Sequence, residues 1–130
     1  MADIPDKYRD LMSKKAFANV ATVMSDGSPQ VTPVWFDYTN GKIRVNTAKG
    51  RVKARTMTPG AKVAVSIMDP DNAYRYVQVR GTVARATEDG AEQHIEDLSH
   101  KYLGKPYPNR QPGERRIMIE ITPEAVNTMG

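Results

Sequence analysis

The 130-residue sequence has no cysteine, which excludes disulfides, zinc–thiolate sites and thiol nucleophiles. Long apolar runs are also missing. A membrane-crossing helix needs ~20 such residues in a row, and hydrophobic residues make up only 39% of the chain. No basic start followed by an apolar stretch marks a secretory signal, so the cytoplasm is the expected compartment and no membrane partner is expected. Histidine is scarce: only His94 and His100 occur. Their spacing on a helix places them roughly 240° apart around its axis, so they cannot share an ion, and no metal is expected. Glu92 and Glu96 share a helix face that reads as solvated surface. There is no Gly-x-Ser-x-Gly elbow and no Walker A spacing.

Acidic residues are missing from one stretch in particular. Residues 41–62 hold Lys42, Arg44, Lys49, Arg51, Lys53, Arg55 and Lys62 and no Asp or Glu, while the whole chain is only +4. The remaining residues carry 12 basic against 15 acidic groups and are net negative. Local excess of this kind suits a compact anion such as a phosphate better than a long polyanion. A single-strand nucleic-acid binder would interleave aromatics with an extended basic groove, so no nucleic-acid partner is expected.

The pattern predicts one mainly β domain over residues 1–130. Residues 5–15 read as a short helix opened by Pro5. Strands are expected over 17–24 and 30–37, joined at Asp26-Gly27, and over 42–47 after Asn40-Gly41, the strongest hairpin signal in the chain. Pro33 cannot donate to a ladder and belongs at an edge or bulge. A short helix is expected over 50–57, strands over 61–68 and 74–86, with a bend at Gly81, and a long helix over 88–103 capped by Gly104. Its stripe is Ala91, Ile95, Leu98 and Tyr102. A Pro-rich loop then leads to a last strand over 115–121. About six short antiparallel strands with few helices suggest a small barrel.

The stretch from Asn46 to Arg55 is the most informative. It reads as a strand end, a Gly turn and a helix start, where unpaired backbone amides bind anions. Arg51 and Lys53 add two charges from the first turn, Arg as a fork and Lys as a point charge, and Thr47 a hydroxyl. The plainer alternative is a solvated basic loop. Trp35, Phe36, Tyr74 and Tyr76 are candidates to flank a planar ligand, and Gln78 to hydrogen-bond its edge. Core or interface packing is the alternative for each aromatic. An anion cradle with stacking aromatics and no acid–base constellation suits a protein that leaves the chemistry to a phosphorylated redox cofactor.

The order of motifs resembles the pyridoxamine 5′-phosphate oxidase-like, FMN-binding split-barrel superfamily, and within it the branch that uses the deazaflavin coenzyme F-420. The resemblance runs through residues 17–23, 26–36, 43–47, 51–55, 76–83 and 117–121. It implies a homodimeric split β-barrel with a cofactor in a groove between subunits. By motif position, Arg51 and Lys53 would hold the phosphate, with Thr47 and Ala48 beside it and Asn46 and Val52 completing the stretch. Thr32, Pro33, Val34 and Trp35 would run along the ring. Tyr76 and Gln78 would approach from the partner subunit or the far wall. Lys49 and Arg55 would meet the acidic oligoglutamate tail of F-420. True pyridoxamine phosphate oxidases carry a C-terminal Arg-rich substrate segment, of which Arg115-Arg116 is only a faint echo, so vitamin B6 chemistry is not expected.

The expected function is therefore hydride transfer from reduced F-420 to an electron-poor double bond or conjugated carbonyl of a small-molecule substrate. The alternatives are an FMN-dependent oxidoreductase of the same fold and a non-catalytic flavin- or F-420-binding carrier.

Overall fold

Tight turns set the register of the sheet in the computed structural model, which describes residues 2–130. At Asn40-Gly41 both residues have positive φ, 54° and 76°. That is the geometry that lets a two-residue loop match the twist of paired strands. It joins β3 (Asp37–Thr39) to β4 (Lys42–Ala48). The Asp26-Gly27 turn joins β1 (Ala18–Val23) to β2 (Pro29–Val34). Asp26 accepts hydrogen bonds from the Ser28 amide and hydroxyl there.

The other strands are β5 (Lys62–Asp69), β6 (Asn72–Thr87) and β7 (Arg116–Met129). All pairings are antiparallel, in the order β2-β1-β5-β6-β7-β4-β3. The sheet is mainly β, split-barrel in type and not closed. Pro33 lies on β2, the edge strand, where its missing N–H costs no ladder bond. Strand alternation buries Val63, Val65 and Ile67 of β5 with Val77, Val79 and Val83 of β6 and Ile119 and Ile121 of β7. A 3-10 helix, Asp6–Met12, adds Tyr8, Leu11 and Met12 to the same core.

Seven strands form where about six were expected, because the expected strand over 30–37 divides at Trp35 and Phe36. The Phe36 amide donates to the Tyr102 hydroxyl at 3.3 Å, and its carbonyl accepts from Lys101 Nζ at 2.8 Å. Its backbone bonds therefore leave the ladder for a helix far along the chain. The last strand also runs past Ile121 to Met129, pairing with the first half of β6. Gly81 lies opposite Pro123 at a break in register, and a Cβ there would collide with the Thr122 carbonyl oxygen. Only glycine fits that close approach.

Two helices complete the fold. The five-residue α1 (Val52–Thr56) is shorter than expected. The helix α2 (Ala91–Leu103) begins after Gly90, which takes a left-handed conformation, so the expected start at Glu88 is corrected to Ala91. Gly104 closes it, also left-handed. The stripe Ile95, Leu98 and Tyr102 packs on Trp35 and Tyr107 as a second, smaller apolar cluster. No described helix is long and apolar enough to cross a membrane.

Candidate functional site

Between α1, α2 and the β2–β3 break lies a cavity of about 250 Å³. One wall is apolar: Phe17, Pro33, Val34, Trp35, Ile95, Leu98 and Tyr107. The other end is cationic, with Arg51, Lys53 and Arg116. Asn46 and Asn109 complete the lining. Trp35 stacks on Tyr102 with ring centroids 5.2 Å apart and 6° between planes, and meets Tyr107 edge-on at 6.3 Å. One face of the indole is thus already covered, and Trp35 acts as a wall held by its neighbours.

A chain of polar side chains leads from the cationic end under α2. Arg116 Nε donates to Asn46 Oδ1 at 2.8 Å. Arg only donates, so the oxygen of the Asn46 amide must face it. Asn46 Nδ2 then donates to the Ala91 carbonyl at 2.9 Å and to His94 Nδ1 at 3.0 Å. The lone pair of His94 is thereby placed on Nδ1 and its ring proton on Nε2, which lies 3.2 Å from Asp37 Oδ2. The approach is close and polar, although the alignment falls short of a hydrogen bond. Asp37 in turn takes both arms of Arg44, at 2.7 and 2.8 Å. Burial pushes the Asp37 carboxyl up, but the His94 imidazole beside it and the two-armed Arg44 guanidinium outweigh it and hold it at about 2.

At the cavity end, Arg116 Nη1 donates to Glu114 Oε1 at 2.8 Å, and its guanidinium lies over the Tyr107 ring. Arg51 Nη2 lies 3.9 Å from Glu114 Oε2. Lys53 is held below the usual lysine range, first by burial and then by the charges of Arg51 and Arg116. Arg51 and Arg116 therefore share one carboxylate while Lys53 feels both as like charges, and the local field calls for a further anion.

The expected site residues do not all meet here. Pro33, Val34, Trp35, Asn46, Arg51 and Lys53 line the cavity. Thr47 is fully buried, and its hydroxyl has no partner among the described residues. Ala48 is buried opposite Arg116 on β7, Lys49 is exposed, and Thr32 and Val52 are half-buried beside the lining. Gln78 lines a different groove on the outer sheet face, and Tyr76 lies on the same strand face. Phe36 is not available to a ligand: it is fully buried in the core. Tyr74 is 79% exposed and does not line the cavity.

Sequence reading missed Arg116, Glu114, Tyr107 and His94. Arg116 had one legible signal. In the alternation of the last strand it falls on the face opposite Ile117, Ile119 and Ile121, as Asn46 does opposite Val45 and Thr47. The pairing Ala48↔Arg116 brings those faces together. His94 gave none, because its burial depends on the sheet beneath α2.

Known proteins share the sequence pattern and the fold. A pyridoxamine 5′-phosphate oxidase family profile matches residues 4–130. The chain belongs to that family. A solved F420 reductase is similar at 32% identity, with 95% of this chain and 98% of that one covered and a TM-score of 0.82. The conserved hypothetical protein Rv2991 from Mycobacterium tuberculosis is 20% identical over 99% of this chain and 86% of that one, with a TM-score of 0.77. An FAD and heme binding protein from Mycobacterium smegmatis is 16% identical, with 98% and 71% covered and a TM-score of 0.73. The last two establish likeness of fold alone.

Proposed function

We propose that this family member is an F-420-dependent oxidoreductase that reduces an electron-poor C=C bond or conjugated carbonyl of a small organic substrate. The observation that carries this reading is the cavity itself, cationic at one end and walled by aromatic and aliphatic side chains along the rest. That donor set fits a phosphorylated, planar, flavin-type ring. Likeness to the F420 reductase supports the choice of deazaflavin. When bound, reduced F-420 supplies the hydride.

The residues of this chain bind, orient and exclude water. Arg51 and Lys53 take the phosphate. α1 has only five residues, so its charged side chains rather than its dipole do most of this. Pro33, Val34 and Trp35 run beside the ring and keep its face dry, and Ile95, Leu98 and Tyr107 close the wall. Holding ring and substrate in contact geometry is the protein's part in the rate. Lys49 and Arg55, both exposed, are available to the acidic tail.

The same reading includes a homodimer. Ala21, Val31, Ala64, Ser66, Gln78 and Asn127 line a shallow groove on the outer sheet face, and Val23, Met68 and Met129 around it are about half exposed. An apolar face of that kind supports an interface. Tyr76 and Gln78 stand on it, so any contact they make with the cofactor is made across the dimer.

Titration with oxidised F-420, followed by absorbance and fluorescence, tests the proposal. Saturable binding supports it, and no binding up to high-micromolar coenzyme sinks it. FMN is the second reading, supported by family membership, because it offers the same ring shape and a phosphate. A yellow protein in which FMN outcompetes F-420 would favour it. Tight binding without oxidation of reduced coenzyme by any of a panel of quinones and enones would favour a carrier.

A further inference from the structure

Glu114 is an odd neighbour for a phosphate site. Its side chain is 9% exposed, and it sits against Arg116, itself 3% exposed. It also faces Arg51, a residue assigned above to the phosphate. A carboxylate buried within a cation cluster cancels part of the field that an incoming anion would feel.

The short loop before β7 holds it in place. The Glu114 amide donates to the Gln111 carbonyl at 3.1 Å, and Arg115 is clamped to Glu88 at 2.7 and 3.1 Å. Arg110 pairs with Glu92 and Glu96 on α2, and Glu96 also accepts the Tyr107 amide at 3.1 Å. Glu114 thus has little freedom to swing away when a ligand enters. Bracing Arg116 does not require it alone, since Asn46 already accepts from Arg116 Nε.

Resting on the proposed cofactor reading, we infer that Glu114 is a specificity-determining residue: its fixed carboxylate tells a phosphodiester from a phosphomonoester. F-420 carries its phosphate as a diester with one negative charge. FMN carries a monoester, with about −1.5 to −2 at neutral pH. Each negative charge gains from Arg51, Lys53 and Arg116, and each is repelled by Glu114. The repulsion grows with the charge on the phosphate itself, the acidic tail of F-420 being met by Lys49 and Arg55 instead, so Glu114 takes more from the monoester than from the diester. The net field still attracts both ligands, and Glu114 trims the advantage that the second charge would otherwise give. One residue thereby biases the site toward the deazaflavin without touching either ring.

The test compares dissociation constants for FMN and for F-420 in wild type, Glu114→Gln and Glu114→Ala, by fluorescence titration at fixed ionic strength. Glu114→Gln keeps an oxygen for Arg116 and removes the charge, while Glu114→Ala removes both. In each folded variant, FMN is expected to bind about tenfold tighter than to wild type and F-420 about threefold tighter. The preference for F-420 over FMN then narrows about threefold. An unchanged ratio, or equal weakening of both ligands, overturns the inference, and the second result would make Glu114 a brace for Arg116. Failure of both coenzymes to bind wild type would instead overturn the cofactor reading. The charge filter is then decided with phenyl phosphate against methyl phenyl phosphate, read from the shift of the Arg116 Nε–H resonance, where the same narrowing supports it and its absence refutes it.

Discussion

The barrel interior and the cavity beside α2 share strand β4 and use opposite chemistry. In the interior, Ile43 and Val45 meet Ile119 and Ile121 with no charge among them. One step further along the same strand, Asn46 begins a buried polar chain that runs to Arg116 in one direction and to Asp37 and Arg44 in the other. Apolar packing stabilises a fold more cheaply than buried charge, and a buried ion pair is often no better for stability than a hydrophobic replacement. Charge kept where aliphatic side chains would pack as well points to binding. The two regions therefore separate: the interior holds the fold, and the cavity end spends some of that stability to hold cations ready for an anion.

Substitutions can break that separation. The largest effect is expected in the interior. Ile67→Ala on β5 removes a fully buried side chain and should lower unfolding free energy by about 2–5 kcal/mol. Coenzyme affinity of the folded protein should stay unchanged, as chemical denaturation and titration on the same sample would establish. The converse is Arg51→Ala with Lys53→Ala. Coenzyme binding should weaken by about 2–4 kcal/mol, with little change in denaturation midpoint. An unchanged dissociation constant would mean the anion end is placed wrongly.

Acid sharpens the comparison, because the apolar interior does not titrate and the polar chain beside it does. The Asp37 carboxyl lies at about 2 in the fold against an unfolded value of 3.8. Its contribution is therefore complete above about pH 4 and is lost as pH falls through about 2, a loss of about 2 kcal/mol. Denaturation measured between pH 5 and pH 2 should show that slope, and Asp37→Asn should reduce it, leaving the share of Asp69, which the Asp71 amide, Lys14 and Arg75 also hold at about 2. The smallest effect is expected at the loop over α2. Arg110 pairs with Glu92 and Glu96 at the surface, so Arg110→Ala should shift the thermal midpoint by no more than about 2 °C.

Local chemistry made much of the fold legible. Asn40-Gly41, Asp26-Gly27 and Gly104 act through their own backbone preferences, and Pro33 announces an edge because it lacks a donor. What stayed hidden depends on distant partners. The break at Phe36 exists because Lys101 and Tyr102 take its backbone bonds. The far half of β7 is held by β6 across bulges that a polar stretch around Pro123 does not signal. In the cavity, Arg51 and Lys53 were visible because their charges cluster in sequence. Arg116 joins them only through the pairing of β4 with β7, and Thr47 turned out to face the core.

The central claim is that the cationic end of the cavity holds the phosphate of a deazaflavin. The most direct measurement is F-420 titrated into wild type and into Arg51→Ala with Lys53→Ala under identical conditions. Saturable binding to wild type that weakens at least about thirtyfold in the variant is the expected result. Equal binding to both proteins, or no binding to wild type at high-micromolar coenzyme, would contradict it.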